Sequence, residues 1–117
     1  MHRENDIITW ATCRGIFDKE HGSTRKRQAD KTQEELDELF EAISLNDIDL
    51  ARDAIGDILV TLAIQAKMWN LKMDDCIEAA WDEIKDRRGR MENGLFVKQS
   101  IDDATEAEWD AAARKNL

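Results

Sequence analysis

The chain has no proline and only five glycines among its 117 residues. With no proline to break a helix and little glycine to punctuate it, long uninterrupted helices are the expected local structure. Cysteine is scarce too. Cys13 and Cys76 lie far apart with no CxxC spacing, and they read as small buried apolar residues in a reducing compartment. No apolar run approaches the ~20 residues of a membrane span, and the Met-His-Arg-Glu-Asn start has no hydrophobic targeting core. A soluble, cytoplasmic protein is expected. Basic residues are in deficit, 17 against 26 acidic, for a net charge of −9. Such a surface repels nucleic-acid phosphates and anionic membranes, so neither is an expected partner. An anionic substrate is compatible only where cations or local basic residues offset the field.

The length fits one all-α domain over residues 1–117, with a core from about 6 to 91 and a C-terminal arm with a short helix from about 92 to 117. A first helix is expected from about Asp6 to Glu20, capped by Asn5 or Asp6 and ended by Gly22, with Ile7, Trp10, Ala11 and Phe17 inward. A second starts at the N-caps Ser23 or Thr24 and ends near Leu45, with Leu36, Leu39, Phe40 and Ile43 as its core stripe. Asn46 and Asp47 form a turn, and Asp47 caps a third helix that runs to about Trp69, with Asn70 as left-handed terminator. A fourth begins at Asp74 or Asp75, turns Ile77, Ala80, Trp81 and Ile84 inward, and ends around Arg88 to Arg90. Asn93-Gly94 is a turn signal followed by Leu95, Phe96 and Val97. Asp103 to Lys115, with Trp109, reads as a short amphipathic helix.

The third helix is the most informative. AIGDILVTLAIQA, from Ala54 to Ala66, contains one charge, Asp57. A helix apolar nearly all round is buried on most sides, and in so short a chain that coverage calls for a second subunit. A homo-oligomer is therefore expected. A lone carboxylate in such a helix needs a basic partner or a metal, because an unpaired buried charge costs several kcal/mol or takes up a proton.

The second helix supplies companions. Glu34, Glu35 and Glu38 lie in QEELDELFEAI, and Glu35 and Glu38, three apart, share a face. Folding the two helices about Asn46 puts Glu35 eleven residues before the turn and Asp57 eleven after, both about 16 Å along their helices. Glu38 and Asp53 fall at a similar level, so Glu35, Glu38, Asp53 and Asp57 are expected at one spot. Four carboxylates repel one another without a cation. An all-oxygen set favours a hard ion, Mg²⁺ or Mn²⁺. A di-iron bundle needs Glu-x-x-His pairs, and the histidines, His2 and His21, lie outside the third and fourth helices. Ion pairing to one Arg or Lys is the bland reading of Asp57, and E-x-x-E spacing alone is commonplace in so acidic a chain. Mg²⁺ held by carboxylates keeps positions open for phosphates and water, which makes phosphoryl chemistry the leading reaction class.

KTQEELDELFEAI followed by DAIGDILVTLA resembles the MazG-like branch of the all-α nucleoside triphosphate pyrophosphohydrolases, whose signature is EExxE, a helix turn, then ExxD. Glu34, Glu35 and Glu38 match the first half and Asp57 the last position. WDEIKDRRGRMENGLFVK is similar to the C-terminal segment of small phage-borne members, and Trp10, Arg14 and the Gln28-to-Lys31 spacing fit them as well. The resemblance covers about residues 7 to 98. The Glu of ExxD falls at Ala54, which cannot bind metal, and Asp53 is the expected substitute.

The resemblance implies a helical bundle assembled as a dimer or a dimer of dimers, a Mg²⁺ cofactor with Mn²⁺ as substitute, and hydrolysis of a nucleoside triphosphate to its monophosphate and pyrophosphate. Glu34 and Glu38 are then the candidate bases. Lys31 is the foremost phosphate clamp, followed by Arg14, Lys85, Arg88 and Lys98, each of which is otherwise a solvated surface charge. Trp10 is the first choice for stacking on the base, ahead of Trp69 and Trp81, although an aromatic at helical spacing is more often core. Asn70 or Asn93 would read a base edge. Gly56, beside Asp57, is explained by close helix packing or by approach of a nucleotide. The rival reading from another class is a non-catalytic helical dimer acting as adaptor or regulator, with Ala54 marking a lost metal site. Sibling specificities for dUTP, dCTP or phosphoribosyl-ATP share the same motifs.

Overall fold

The structure, a computed structural model, describes residues 1–98 and is mostly helical. The expected helix over 103–115 lies outside the described residues. The helices are α1 (Glu4–Cys13), α2 (Arg25–Leu45), α3 (Ile48–Met68) and α4 (Met73–Ile84), followed by strands β1 (Gly89–Glu92) and β2 (Leu95–Lys98). The chain divides into two compact units, Met1–Glu78 and the part from Ala79 onward, and α4 runs across the division.

In the first unit, α2 and α3 form a long antiparallel hairpin, and α1 packs on α3. The hairpin forms where the sequence punctuates it. The Thr24 hydroxyl accepts from the Arg27 amide at 3.0 Å and caps α2. Asn46, at φ 50°, ends α2, and the Asn46 and Asp47 amides return to the carbonyls of Ile43 and Ala42. Asp47 then caps α3, its Oδ1 accepting from the Asp49 and Leu50 amides at 3.1 Å each. Asn70, at φ 58°, closes α3 in the same way, with the Leu71 amide bonded to Ala66 O at 2.9 Å.

The first helix is shorter than expected. Gly15, at φ 73°, ends it: the Gly15 and Ile16 amides bond back to Thr12 and Ala11, both at 3.1 Å, in the same motif as at Asn46. Gly22 instead terminates a separate 3₁₀ turn over Lys19–His21. The fourth helix starts one residue early because a tertiary contact caps it. The buried Glu4 carboxylate of α1 accepts from the Met73 amide, and the Met1 amino group pairs with Asp74.

In the second unit α4 ends at Ile84, four residues or more before the expected end, and the chain enters a two-stranded antiparallel hairpin. Gly89 pairs with Lys98 and Glu92 with Leu95. Asn93 (φ 50°) and Gly94 (φ 81°) form its two-residue turn, which requires positive φ at both positions. The turn was legible in the sequence, whereas the strands were not part of the all-α expectation.

The core of the first unit is built of small residues: Ala11, Ala42, Ala54, Ala63, Ile64, Ala66 and Met73, with no large side chain fully buried. Several stripe residues expected inside are outside in the single chain. Phe40, Ile43, Ile77, Trp81 and Ile84 are exposed, as is Trp10. Alanines let the helix axes approach closely, and the larger side chains are left on the outer faces. Among the described residues, no helix is long and apolar enough to cross a membrane.

Candidate metal centre

Glu35 and Glu38 on α2 face Asp57 on α3, and one carboxylate oxygen from each lies within 4.8 Å of the other two. Matched distance from the Asn46 turn delivers this juxtaposition. Glu35 is 8% exposed, and its Oε2 is buried with no hydrogen-bond partner. Glu38 and Asp57 lie on the open side. A buried carboxylate oxygen left unsatisfied costs more than a neutral polar atom would, and a bound cation or a proton would relieve that cost. Hard oxygen donors of this kind fit a divalent cation such as Mg²⁺ or Mn²⁺.

The electrostatics agree. Glu35 is the main reason the Glu38 carboxyl holds its proton above the ordinary 4.5, first through the hydrogen bond that a protonated Glu38 can donate to it and then through its charge; partial desolvation and Asp57 raise it further, and Lys31 opposes them. Lys31 Nζ lies 3.0 Å from Glu34 Oε2 and 3.5 Å from Glu35 Oε1. The Glu34 hydrogen bond is the largest influence holding the lysine proton above its ordinary 10.5. Glu34 is thus beside the cluster, engaged with Lys31, but outside the three gathered carboxylates.

Asp53, the expected fourth carboxylate, is exposed and not among those three. The helical period explains its position. Four residues before Asp57, it lies about 40° further round the helix, on the solvent side. Ala54 lies on the other side of Asp57 and is 1% exposed, packed into the core.

Residues 23–91, more than half of the chain, match the family model of the MazG nucleotide pyrophosphohydrolase domain. The chain belongs to the MazG family. The match spans all of α2 and α3, and so every residue of the carboxylate cluster, and it continues through α4. MazG enzymes are nucleotide pyrophosphohydrolases that generally use a divalent metal, in keeping with the cluster. No curated protein and no solved structure matches the chain.

The remaining expected MazG substrate residues are dispersed. Trp10 and Arg14 share α1 and pair with each other, the guanidinium 4.7 Å from the ring centroid. Lys85 bonds to Asp82 at 3.1 Å, Arg88 lies between α4 and β1, and Lys98 ends β2; all three belong to the second unit. Trp69 is capped by Arg25 at 3.8 Å, and its indole N–H donates to Gln65 at 3.0 Å.

One feature near the site escaped sequence reading. Thr32 on α2 donates to the Thr61 hydroxyl at 2.9 Å, Gln28 donates to the Thr61 carbonyl at 3.1 Å, and the Thr61 hydroxyl donates to Ile58 O at 2.7 Å. This polar seam fixes the register of α2 against α3 one turn from Glu35 and Asp57. Its signal was Thr61 itself, a hydroxyl four residues after Asp57 in the otherwise apolar run ILVTLAI, and it is buried.

Proposed function

We propose that this MazG chain is a Mg²⁺-dependent nucleoside triphosphate pyrophosphohydrolase, turning a (d)NTP and water into a (d)NMP and pyrophosphate in a cytoplasmic nucleotide pool. The observation that carries this reading is the buried, unpartnered Glu35 Oε2 beside the carboxylates of Glu38 and Asp57. Glu35, Glu38 and Asp57 would hold the cation, with Asp53, exposed one turn from Asp57, as a further candidate ligand. The bound cation would neutralise the polyphosphate and the charge that develops on it.

The chain's own groups account for the rest. A bond forms between a water oxygen and the α-phosphorus while the α–β bridging bond breaks, and the electron pair leaves with pyrophosphate. Glu34 or Glu38 accepts the water proton. Glu34 lies outside the ligand group, so it keeps a free oxygen when the cation is held. Lys31 meets the phosphates, with Arg14, Lys85, Arg88 and Lys98 as further contacts and Trp10 as the surface for the base. The exposed Phe40 and Ile43 of α2 and Ile55 and Leu59 of α3 support a homo-oligomer, a dimer or dimer of dimers, that covers them.

The test is a panel of NTPs and dNTPs with Mg²⁺ or Mn²⁺, with products separated by chromatography. NMP and pyrophosphate are expected, and the panel assigns base and sugar. Formation of NDP and phosphate would refute the cleavage position. No turnover together with no Mn²⁺ binding would favour a non-catalytic adaptor.

A further inference from the structure

Lys31 sits one turn before the glutamates and contacts two of them at once, Glu34 at 3.0 Å and Glu35 at 3.5 Å. It occupies one oxygen of Glu35, while the other is buried and unpartnered. The lysine side chain is itself 54% exposed, on a flexible four-carbon stem that can swing into solvent. We infer that Lys31 is a resident counter-cation of the carboxylate site: it competes with the divalent cation for Glu35, and gives way when a substrate polyphosphate draws its ammonium off. This rests on the metal-binding reading above.

The physical consequence is a coupling. An ammonium and a divalent cation beside the same carboxylate repel each other, so Lys31 weakens binding of the cation alone. A polyphosphate offers the ammonium a better partner and relieves that repulsion. By linkage, whatever the nucleotide gains from a loaded cation, the cation gains from the nucleotide. Lys31 therefore biases the site toward taking cation and nucleotide together. It also returns Glu34 to solvent at the moment a proton acceptor is needed. An ordinary helix-surface ion pair would have neither effect.

The experiment measures Mn²⁺ affinity of the full chain by electron paramagnetic resonance, without and with a non-hydrolysable nucleoside triphosphate analogue. Met has helix propensity close to that of Lys, so Lys31→Met keeps the helix. Lys31→Met is expected to bind Mn²⁺ about two- to five-fold tighter than the parent without nucleotide, the size of an exposed ion pair. The further gain on adding the analogue should shrink by a similar factor. Lys31→Arg, which keeps the charge, should bind Mn²⁺ without nucleotide as the parent does. Lys26→Met, which removes the same charge five residues away on α2, should leave the affinity unchanged. Equal or weaker Mn²⁺ binding by Lys31→Met, or the same tightening by Lys26→Met, would overturn the inference. Absence of Mn²⁺ binding in the parent would overturn the metal reading beneath it.

Discussion

Glu35 on α2 is 8% exposed and Leu95 on β2 is 72% exposed. The α2–α3 pair draws a charge inward, while the β1–β2 hairpin turns apolar side chains outward, with Phe96 and Val97 exposed beside Leu95. The helix pair can hold a destabilising carboxylate because much else fixes it: two side-chain caps, two left-handed asparagines, a core of alanines and the Thr61 seam. A two-stranded hairpin with no such support is marginal in water. The segment around it is also basic, with Lys85, Arg87, Arg88, Arg90 and Lys98 against Asp86 and Glu92, in a chain of net charge −9. Local rules broken inside an otherwise consistent element mark function. The carboxylates are such a breach, and the hairpin, among the described residues, is an element with its apolar side chains exposed.

The largest expected effect comes from removing one of the two open-side carboxylates gathered beside the inward Glu35. Asp57→Asn keeps the size of the side chain but weakens the ligand set. Mn²⁺ affinity and pyrophosphate release should both fall by about 100-fold or more. Calorimetric titration and a turnover assay check this. Retention of both would move the site away from the helix pair and dissolve the contrast with the hairpin.

Acidification is the milder form of the same test. The Glu38 carboxyl binds its proton more tightly in the folded, metal-free chain than its ordinary value of 4.5 implies, chiefly through Glu35. Its contribution to folding is therefore present below 4.5 and is lost as pH rises through the elevated folded value. A cation must displace that proton. Mn²⁺ affinity should drop by up to about ten-fold per pH unit below the elevated value, and proton release on binding should appear in buffers of different ionisation enthalpy. A flat profile between pH 4 and 7 would remove Glu38 from the ligand set.

Much of this region was legible because it depends on counting and capping. Thr24, Asp47, Asn46 and Asn70 act where short-range rules place them, and eleven residues either side of Asn46 suffice to bring Glu35 to Asp57. Illegible features depend on tertiary partners. Glu4 caps α4 across 69 residues of chain, and no local pattern announces that. Gly15 and Gly22 both suit a helix end, and only packing decides that α1 stops at the first of them. Asp53 and Ala54 show the limit of helical periodicity. A rotation of about 40° separates Asp57, inside the carboxylate cluster, from Asp53 outside it. Phe40 and Ile43, expected in the core stripe of α2, are exposed in the single chain.

The seam gives a third, smaller effect. Thr61→Val removes the hydroxyl that accepts from Thr32 and leaves the Gln28 bond to the Thr61 carbonyl intact. Urea unfolding should show a loss of about 1 kcal/mol, with Mn²⁺ affinity nearly unchanged because Gln28 still holds the register. A large loss of Mn²⁺ affinity without a matching loss of stability would mean that the seam orients the carboxylates directly.

The hairpin should give the smallest response, and its character matters more than its size. Lys98 ends β2 opposite Gly89, on the strand whose four residues are all exposed. If its ammonium meets a phosphate of the bound substrate, Lys98→Ala removes binding shared by ground state and transition state. KM should then rise by about two- to five-fold with kcat unchanged. Mn²⁺ affinity without nucleotide should stay as in the parent, because no carboxylate ligand is touched. A fall in kcat at constant KM would instead mean that the basic hairpin acts on the charge that develops during cleavage. The proposed division, with chemistry on the helix pair and substrate contact on the strand pair, would then have to be redrawn.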